Sequence, residues 1–399
     1  MSDQTPQATA DSTIVESSAP STASQEDQSQ QESTGAEQTT AADASTAASV
    51  KRARSPSVQD DSGAKRARSP SGRSVPAEGD TTSTATSTTS TPVPTPTTTS
   101  TSTATGSETN AAQVADHYNA RPDVGVEKRK ESTIFRLKSF NNWLKSVLIG
   151  RYARPRDRVL DVGVGKGGDL LKWSKAKIQF FIGCDIASKS IEQARERYRT
   201  MRNPPFEAHF HAMDCYSEPI SNVVAPDVVF DMVSMQFCLH YSFETEAKAR
   251  MMLHNVTSQL KPGGVFIGTI PDAYWIVKKL KSESDDKLEI GNSIYSIRFE
   301  RRDRFDKFGT KYWFHLEDAI DDCPEYLVHF PTFQKLAEEY GLELIYNKKF
   351  HQVYEEASQE VDFNHLLYRM NVISEDGHLS ADDWEAANIY LAFAFKKKQ

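Results

Sequence analysis

Aromatic side chains are absent from the first 117 residues: all 20 Phe, 5 Trp and 14 Tyr lie at Tyr118 or beyond. Residues 1–112 are Ser, Thr, Ala, Gln and Pro, with low-complexity tracts such as Thr81–Ser107. Such a stretch buries too little apolar surface to offset roughly 1–2 kcal/mol per residue of backbone ordering entropy. It is expected to be a disordered arm, which also explains an overall hydrophobic content of only 38%. Cysteine is scarce as well. Cys184, Cys215, Cys238 and Cys323 are far apart and form no C-x-x-C pair, so neither a disulfide scaffold nor a metal site is expected. A reducing interior with free thiols follows. No run of ~18 apolar residues exists, which argues against a membrane span. The opening MSDQTPQATADSTIVESS lacks the basic-then-apolar order of a secretory signal. What is left is a domain over residues 113–399, long enough for one full-sized core.

The arm carries one ordered feature. KRARSPS occurs at Lys51–Ser57 and again at Lys65–Ser71. Two short basic clusters in a flexible arm, Lys51–Arg54 and Lys65–Arg68, suit the acidic groove of a nuclear import receptor. The plainer alternative is a basic patch that touches RNA or solubilises the arm. Ser55 and Ser69 each precede a proline, and phosphate there would weaken either role by adding negative charge.

From Gln113 onward helical and strand patterns alternate. Ile134, Leu137, Phe140, Leu144, Val147 and Leu148 form a helical stripe, with Ser132 as a plausible cap. RVLDV reads as a buried strand running into a glycine turn, and a helix is expected from Asp169 through Trp173. FFIGCDI is a second strand, and SIEQARERYRTM a second helix with Ile191, Ala194 and Tyr198 inward. FEAHFHAMD, VVFDMVSMQF and VFIGTIP supply further strands. This order predicts an α/β fold with a doubly wound, mostly parallel sheet. GNSIYSIRFE and GTKYWFHLED read as a smaller antiparallel part, preceded by an insertion around Lys278–Lys287.

Gly163, Gly165 and Gly168 satisfy G-x-G-x-x-G, which alone is weak evidence and fits either a nicotinamide dinucleotide or S-adenosylmethionine. The acids around it discriminate. Asp161 ends the first strand, where a carboxylate is awkward beside pyrophosphate but suits an ammonium and a sulfonium. Asp185 ends the second strand and can accept both ribose hydroxyls, which fits either cofactor. Asp214 ends the third, within reach of an adenine amino group. LKPGGVFIGT (Leu260–Thr269) is expected to be a helix end, a Pro-Gly-Gly turn and a strand. Together these features resemble the class I S-adenosylmethionine-dependent methyltransferases, which implies a seven-stranded, Rossmann-like sheet.

A narrower resemblance lies in FNNWLK, GKGGDLLKW, QFCLHYSFE, CPEYLVHFP and WEAANIYLAFAF. From about His117 to the C-terminus the chain resembles the eukaryotic mRNA cap guanine-N7 methyltransferases, of fungal type. One departure is Val164, where relatives commonly carry cysteine. The resemblance implies S-adenosyl-L-methionine held by Lys145, Gly163, Asp185, Asp214, Gln236 and Tyr241. It implies a cap site at Asn141, Asn142, Lys166, Lys172, Arg197, His240, Glu325 and Tyr390. It further implies capped nascent mRNA as partner, a nuclear location, and possible contacts with other capping enzymes or RNA polymerase II.

The residue chemistry agrees. Lys145 lies four positions after Asn141 on one helical face, and a cation there can pair with the cofactor's carboxylate. Lys166, Lys172 and Arg197 suit a triphosphate. Glu325 sits in an otherwise apolar stretch, so it is either a paired structural acid or a reader of guanine's edge. Residues 121–180 hold 15 Lys/Arg against 6 Asp/Glu, a local excess in a domain that is near neutral as a whole and net acidic elsewhere. Guanine N7 has an in-plane lone pair and no proton, so methylating it requires no general base. Alignment can then contribute roughly 7–11 kcal/mol, with transition-state support from Glu325. Three alternatives stay open: a methyltransferase of this fold with another RNA or small-molecule acceptor, a silent cap-binding module, and, more remotely, a dehydrogenase.

Overall fold

The computed structural model describes residues 105–121, 131–202, 204–373 and 379–399, with side chains from residue 110. The KRARSPS repeats with Ser55 and Ser69 lie outside the described residues. The arm boundary expected at residue 112 falls inside the first helix, α1 (Thr105–Ala120). That helix is held from outside its own sequence. Val114 is buried, and Asn110 Nδ2 donates to Glu244 Oε1 at 2.8 Å.

The next helix, α2 (Phe135–Tyr152), buries five residues of the expected stripe, and the sixth, Ile134, is buried just before its first turn. Ser132 does not cap it. Its Oγ donates to Asp318 Oδ2 at 2.8 Å, and Ile134 takes the N-cap position without a side-chain bond. Then come β1 (Arg158–Val162), α3 (Leu170–Ala176), β2 (Phe180–Asp185), α4 (Ser188–Arg199), β3 (Glu207–Ala212), β4 (Phe230–Gln236), α5 (Glu246–Ser258), β5 (Leu260–Pro271) and α6 (Ala273–Ser282). Lys278–Ser282, read from sequence as part of an insertion, is the end of α6. An antiparallel run follows: β6 (Glu289–Gly291), β7 (Tyr295–Phe299), β8 (Lys311–Leu316) and β9 (Ile320–Tyr326). The chain closes with α7 (Phe330–Glu339), β10 (Leu342–Lys349), α8 (Phe350–Ala357), α9 (Val361–Arg369), α10 (Ala381–Ala387) and β11 (Tyr390–Lys397).

Seven strands form one sheet in the order β10-β11-β5-β4-β1-β2-β3, and β6 to β9 form a separate four-stranded sheet. Strands β1 to β5 run parallel, whereas β11 is antiparallel to both β5 and β10. Successive residues of the central strands enter opposite cores. Val159, Phe181, Met232 and Ile267 join α2 on one face, while Leu160, Ile182, Val233 and Phe266 join α5 and α7 on the other. A strand buried on both faces reads as a continuous apolar run. This is the doubly wound α/β sheet expected.

The Pro-Gly-Gly segment departs from expectation. It lies inside β5, where Phe230 pairs with Leu260 and Met232 already pairs with Val265. Gly263 makes this possible at φ 76°, so the turn is absorbed as a bulge.

Candidate active site

The chain leaves β1 toward β2 and β3, then returns to place β4 on the other side of β1. Ligands of open α/β sheets bind at such a switch point, beyond the carboxyl ends of the strands. A cavity of about 260 Å³ lies there, with Val162, Gly163, Gly165, Asp185, Asp214, Gln236 and Tyr241 in its wall. Five of the six expected cofactor residues therefore share one cavity. Lys145 is not among its lining.

Gly163 has φ 73°, and a Cβ there would meet Cys238 Sγ at 2.6 Å, so only glycine fits. The third left-handed glycine of the turn is Gly167 (φ 70°), not the motif's Gly168. Asp185 is aimed by two backbone donors: Gly165 N–H on Oδ2 at 2.8 Å and Ala187 N–H on Oδ1 at 2.9 Å. Burial nevertheless raises its pKa. Asp214 is fixed likewise, by Tyr216 N–H at 2.9 Å and Ser217 Oγ–H at 2.7 Å. Gln236 donates to Ser234 Oγ at 3.2 Å and accepts from Thr269 Oγ–H at 3.3 Å.

Lys145 instead belongs to an ionic cluster between α2 and α3. Asp169 accepts Lys145 Nζ on Oδ2 at 2.9 Å and Lys172 Nζ on Oδ1 at 2.6 Å. Lys172 also donates to Asn142 Oδ1 at 3.1 Å. Burial opposes the charge on Asp169, but Lys145 and Lys172 outweigh it and hold the carboxyl at about 2. Asp161, beside this cluster, is pushed up to about 7, by burial first and by the charge of Asp169 second. Trp173 Nε1–H, on its Oδ2 at 3.2 Å, opposes the rise. Asn141 Oδ1 is buried without a hydrogen-bond partner. Of the other expected cap residues, Lys166 Nζ donates to Arg121 O at 2.8 Å, and Arg197 lies in the last turn of α4.

A third group is aromatic. Tyr312 and Glu325 are cross-strand partners in β8 and β9, and Tyr312 Oη–H donates to Glu325 Oε2 at 2.7 Å. Buried His240 places Nε2 3.3 Å from Glu325 Oε1. That approach lacks hydrogen-bond alignment, and both ring nitrogens are without a bonded partner. Tyr241 Oη reaches Glu325 Oε1 at 3.5 Å. Tyr390, the first residue of β11, packs edge-on against Phe237 with centroids 5.0 Å apart. Phe237 also lines the cavity, so the aromatic group and the cavity share a wall.

Sequence reasoning passed over Phe237, Asp169, Tyr312 and the α1 residues Asn110, Val114 and Tyr118. Phe237 had a signal, an aromatic directly after the Gln236 that ends a strand. Its left-handed backbone (φ 59°) had none; it is held by Thr269, whose O and Oγ1 both accept its N–H, at 3.1 and 3.0 Å. Such a conformation costs a bulky residue roughly 1–2 kcal/mol.

Sheet order, glycine turn and strand-end acids together define a class I S-adenosylmethionine methyltransferase fold. The profile of the mRNA (guanine-N(7))-methyltransferase domain matches residues 101–398, and the chain belongs to that family. The mRNA cap guanine-N(7) methyltransferase of Cryptococcus neoformans is 51% identical over 293 residues, covering 71% of this chain and 47% of that protein. The enzyme of that name from Schizosaccharomyces pombe is 48% identical over 71% of this chain and 82% of its own length. Arabidopsis thaliana mRNA cap guanine-N(7) methyltransferase 1 is 46% identical over 72% and 82%. The chain thus spans about half the length of its Cryptococcus relative and most of the other two.

Proposed function

We propose that this chain transfers the methyl group of S-adenosylmethionine to N7 of the 5′-terminal guanosine cap of mRNA, in the nucleus. The observation that carries this reading is the shared wall: Phe237 and Tyr241 line the cofactor-sized cavity while touching the group around Glu325, His240 and Tyr390. A donor and a base held in these two places would meet across one boundary.

The donor set fits the cofactor. Asp185 has lone pairs left for ribose hydroxyls after its two backbone bonds. Asp161, a buried carboxyl with pKa near 7, gains most from an ammonium group. Lys145, fixed by Asp169, offers a cation for a carboxylate. Asp214 and Gln236 suit adenine. The cofactor supplies an electrophilic sulfonium methyl.

The protein's own part is placement. Glu325, with Tyr312 already donating to one oxygen, accepts from guanine N1–H and the amino group. His240 has ring nitrogens free for hydrogen bonds from or to the base, and Tyr390 and Phe237 flank it. Asn141, Asn142, Lys166, Lys172 and Arg197 take the triphosphate side. Positive charge appears on guanine as the methyl arrives, which strengthens the donors facing Glu325. The carboxylate therefore binds the transition state better than the ground state. N7 carries no proton, so no side chain has to remove one. The N-terminal arm would serve nuclear import through Lys51–Arg54 and Lys65–Arg68 and offer a site for other capping enzymes or the polymerase.

The test incubates the purified chain with labelled S-adenosylmethionine and GpppG-RNA, then digests the RNA. Label in 7-methylguanosine is expected. Label on ribose or an internal base would overturn the assignment.

A further inference from the structure

Helix α1 roofs the cavity. Asn110, Ala111, Val114 and Tyr118 all line it, and their spacing puts them on one helical side. Hydrogen bonds latch this roof along its length. Asn110 Nδ2 donates to Glu244 Oε1 at 2.8 Å, Asn119 Oδ1 accepts Lys189 N–H at 3.0 Å, and Tyr118 Oη lies 3.1 Å from Tyr241 Oη.

The last of these continues toward Glu325. Tyr241 has one hydroxyl proton, and its oxygen neighbours are Tyr118 Oη and Glu325 Oε1, the latter at 3.5 Å. Tyr241 reaches Glu325 as a donor, and in that arrangement its oxygen takes the Tyr118 hydroxyl proton. Cys323 Sγ, 3.7 Å away, can use the remaining lone pair. A row of hydroxyls runs from the roof of the cofactor cavity to the carboxylate assigned to guanine, a carboxylate held on its other oxygen by Tyr312.

We propose that Tyr118 is a positioning residue for methyl transfer, coupling closure of α1 over the cofactor to the aim of Glu325 on the base. The inference rests on the cap reading of Glu325 above. Cofactor exchange requires the roof to lift, and lifting takes the Tyr118 proton away from Tyr241 and slackens its hold on Glu325. Closure does the reverse. Cofactor and cap then bind better together than apart, and by linkage each improves the other by the same factor.

The test titrates GpppA into the full chain with and without saturating S-adenosylhomocysteine, following S-adenosylhomocysteine release by stopped flow. Wild type is expected to bind GpppA about fivefold more tightly when the cavity is filled, near the lower end of typical coupling. Tyr118→Phe should abolish that enhancement and speed S-adenosylhomocysteine release. Tyr241→Phe breaks the row at its centre and should abolish the enhancement too. Asn110→Ala releases only the far latch, so it should speed release while the enhancement survives. Full enhancement in Tyr118→Phe, or none in wild type, overturns the proposal. A wild type that binds S-adenosylhomocysteine but no GpppA overturns the cap reading itself, and the inference falls with it.

Discussion

The ionic cluster between α2 and α3 and the aromatic group around Glu325 treat buried polarity in opposite ways. In the first, one carboxylate takes two lysines at 2.9 and 2.6 Å, and the second lysine also finds Asn142. Its carboxylate is paired on both oxygens before any ligand arrives. In the second, His240 is buried with neither ring nitrogen bonded, and Glu325 has one short bond at 2.7 Å and two longer contacts, to His240 at 3.3 Å and Tyr241 at 3.5 Å. Burying a polar group unpaired costs roughly 1–3 kcal/mol on protein-derived scales. A site that tolerates this keeps capacity for a guest. On the function proposed above, the ionic cluster would hold cations for the charged groups of the ligands, and the aromatic group would take a base with its own donors and acceptors.

Removing the matching charge should break the contrast most severely. Asp169→Ala leaves Lys145 and Lys172 together in a buried place without their anion. It is expected to cost about 3 kcal/mol of stability and nearly all S-adenosylhomocysteine binding, measured by thermal unfolding and calorimetry. The pH sign agrees: the carboxyl sits at about 2, below its usual 3.8. Its contribution is full above pH ~4 and disappears as pH falls through 2. Unchanged stability in Asp169→Ala would mean that the cluster is not held by its carboxylate.

The aromatic group should respond in rate more than in stability. Glu325→Gln keeps shape and loses charge, so single-turnover methyl transfer is expected to fall roughly 30-fold, equivalent to about 2 kcal/mol. Cap affinity should fall several-fold less. Equal losses would reassign Glu325 to ground-state binding alone.

Asp161 sharpens the comparison through pH. With its carboxyl at about 7, it is neutral in acid and charged in base. S-adenosylhomocysteine, which carries the same ammonium, should bind about tenfold more weakly at pH 6 than on the alkaline plateau. Asp161→Asn should flatten that dependence. The folded pKa lies above the unfolded one, so in the ligand-free protein Asp161 favours folding most below pH ~4 and loses that contribution as pH rises toward 7.

The smallest effect belongs to the wall of the glycine turn. Val164→Cys is expected to change stability by less than about 1 kcal/mol and leave transfer rates within twofold, checked by thermal melts and initial rates. A large loss would show that Val164, packed where a Cβ on Gly183 would meet its Cγ1 at 3.1 Å, sets the turn's geometry.

Legibility in the sequence followed the range of the physics. The α2 stripe from Ile134 to Leu148 was readable because a helix repeats its face every few residues. The acids Asp185 and Asp214 were readable because each follows a short strand pattern, Asp185 closing β2 and Asp214 standing two residues beyond β3. The motif selected Gly168 where the left-handed residue is Gly167, since neighbouring glycines are interchangeable on paper. Ser132 looked like a cap, yet its hydroxyl goes to Asp318, 186 positions away. Tyr312 faces Glu325 through a strand pairing that alternation alone does not register.

The amino-acid order by itself determined the alternation of helices and strands, the glycine turn, and which acids stand at strand ends, because these depend on near neighbours and a short period. Only the tertiary structure decided that Lys145 and Lys172 share Asp169, that Phe237 both lines the cavity and packs on Tyr390, and that Tyr118 reaches Tyr241, 123 residues downstream. Those contacts are set by how sheet, helices and roof pack together, and a side chain's partner at such range depends on the closed fold rather than on anything beside it in the chain.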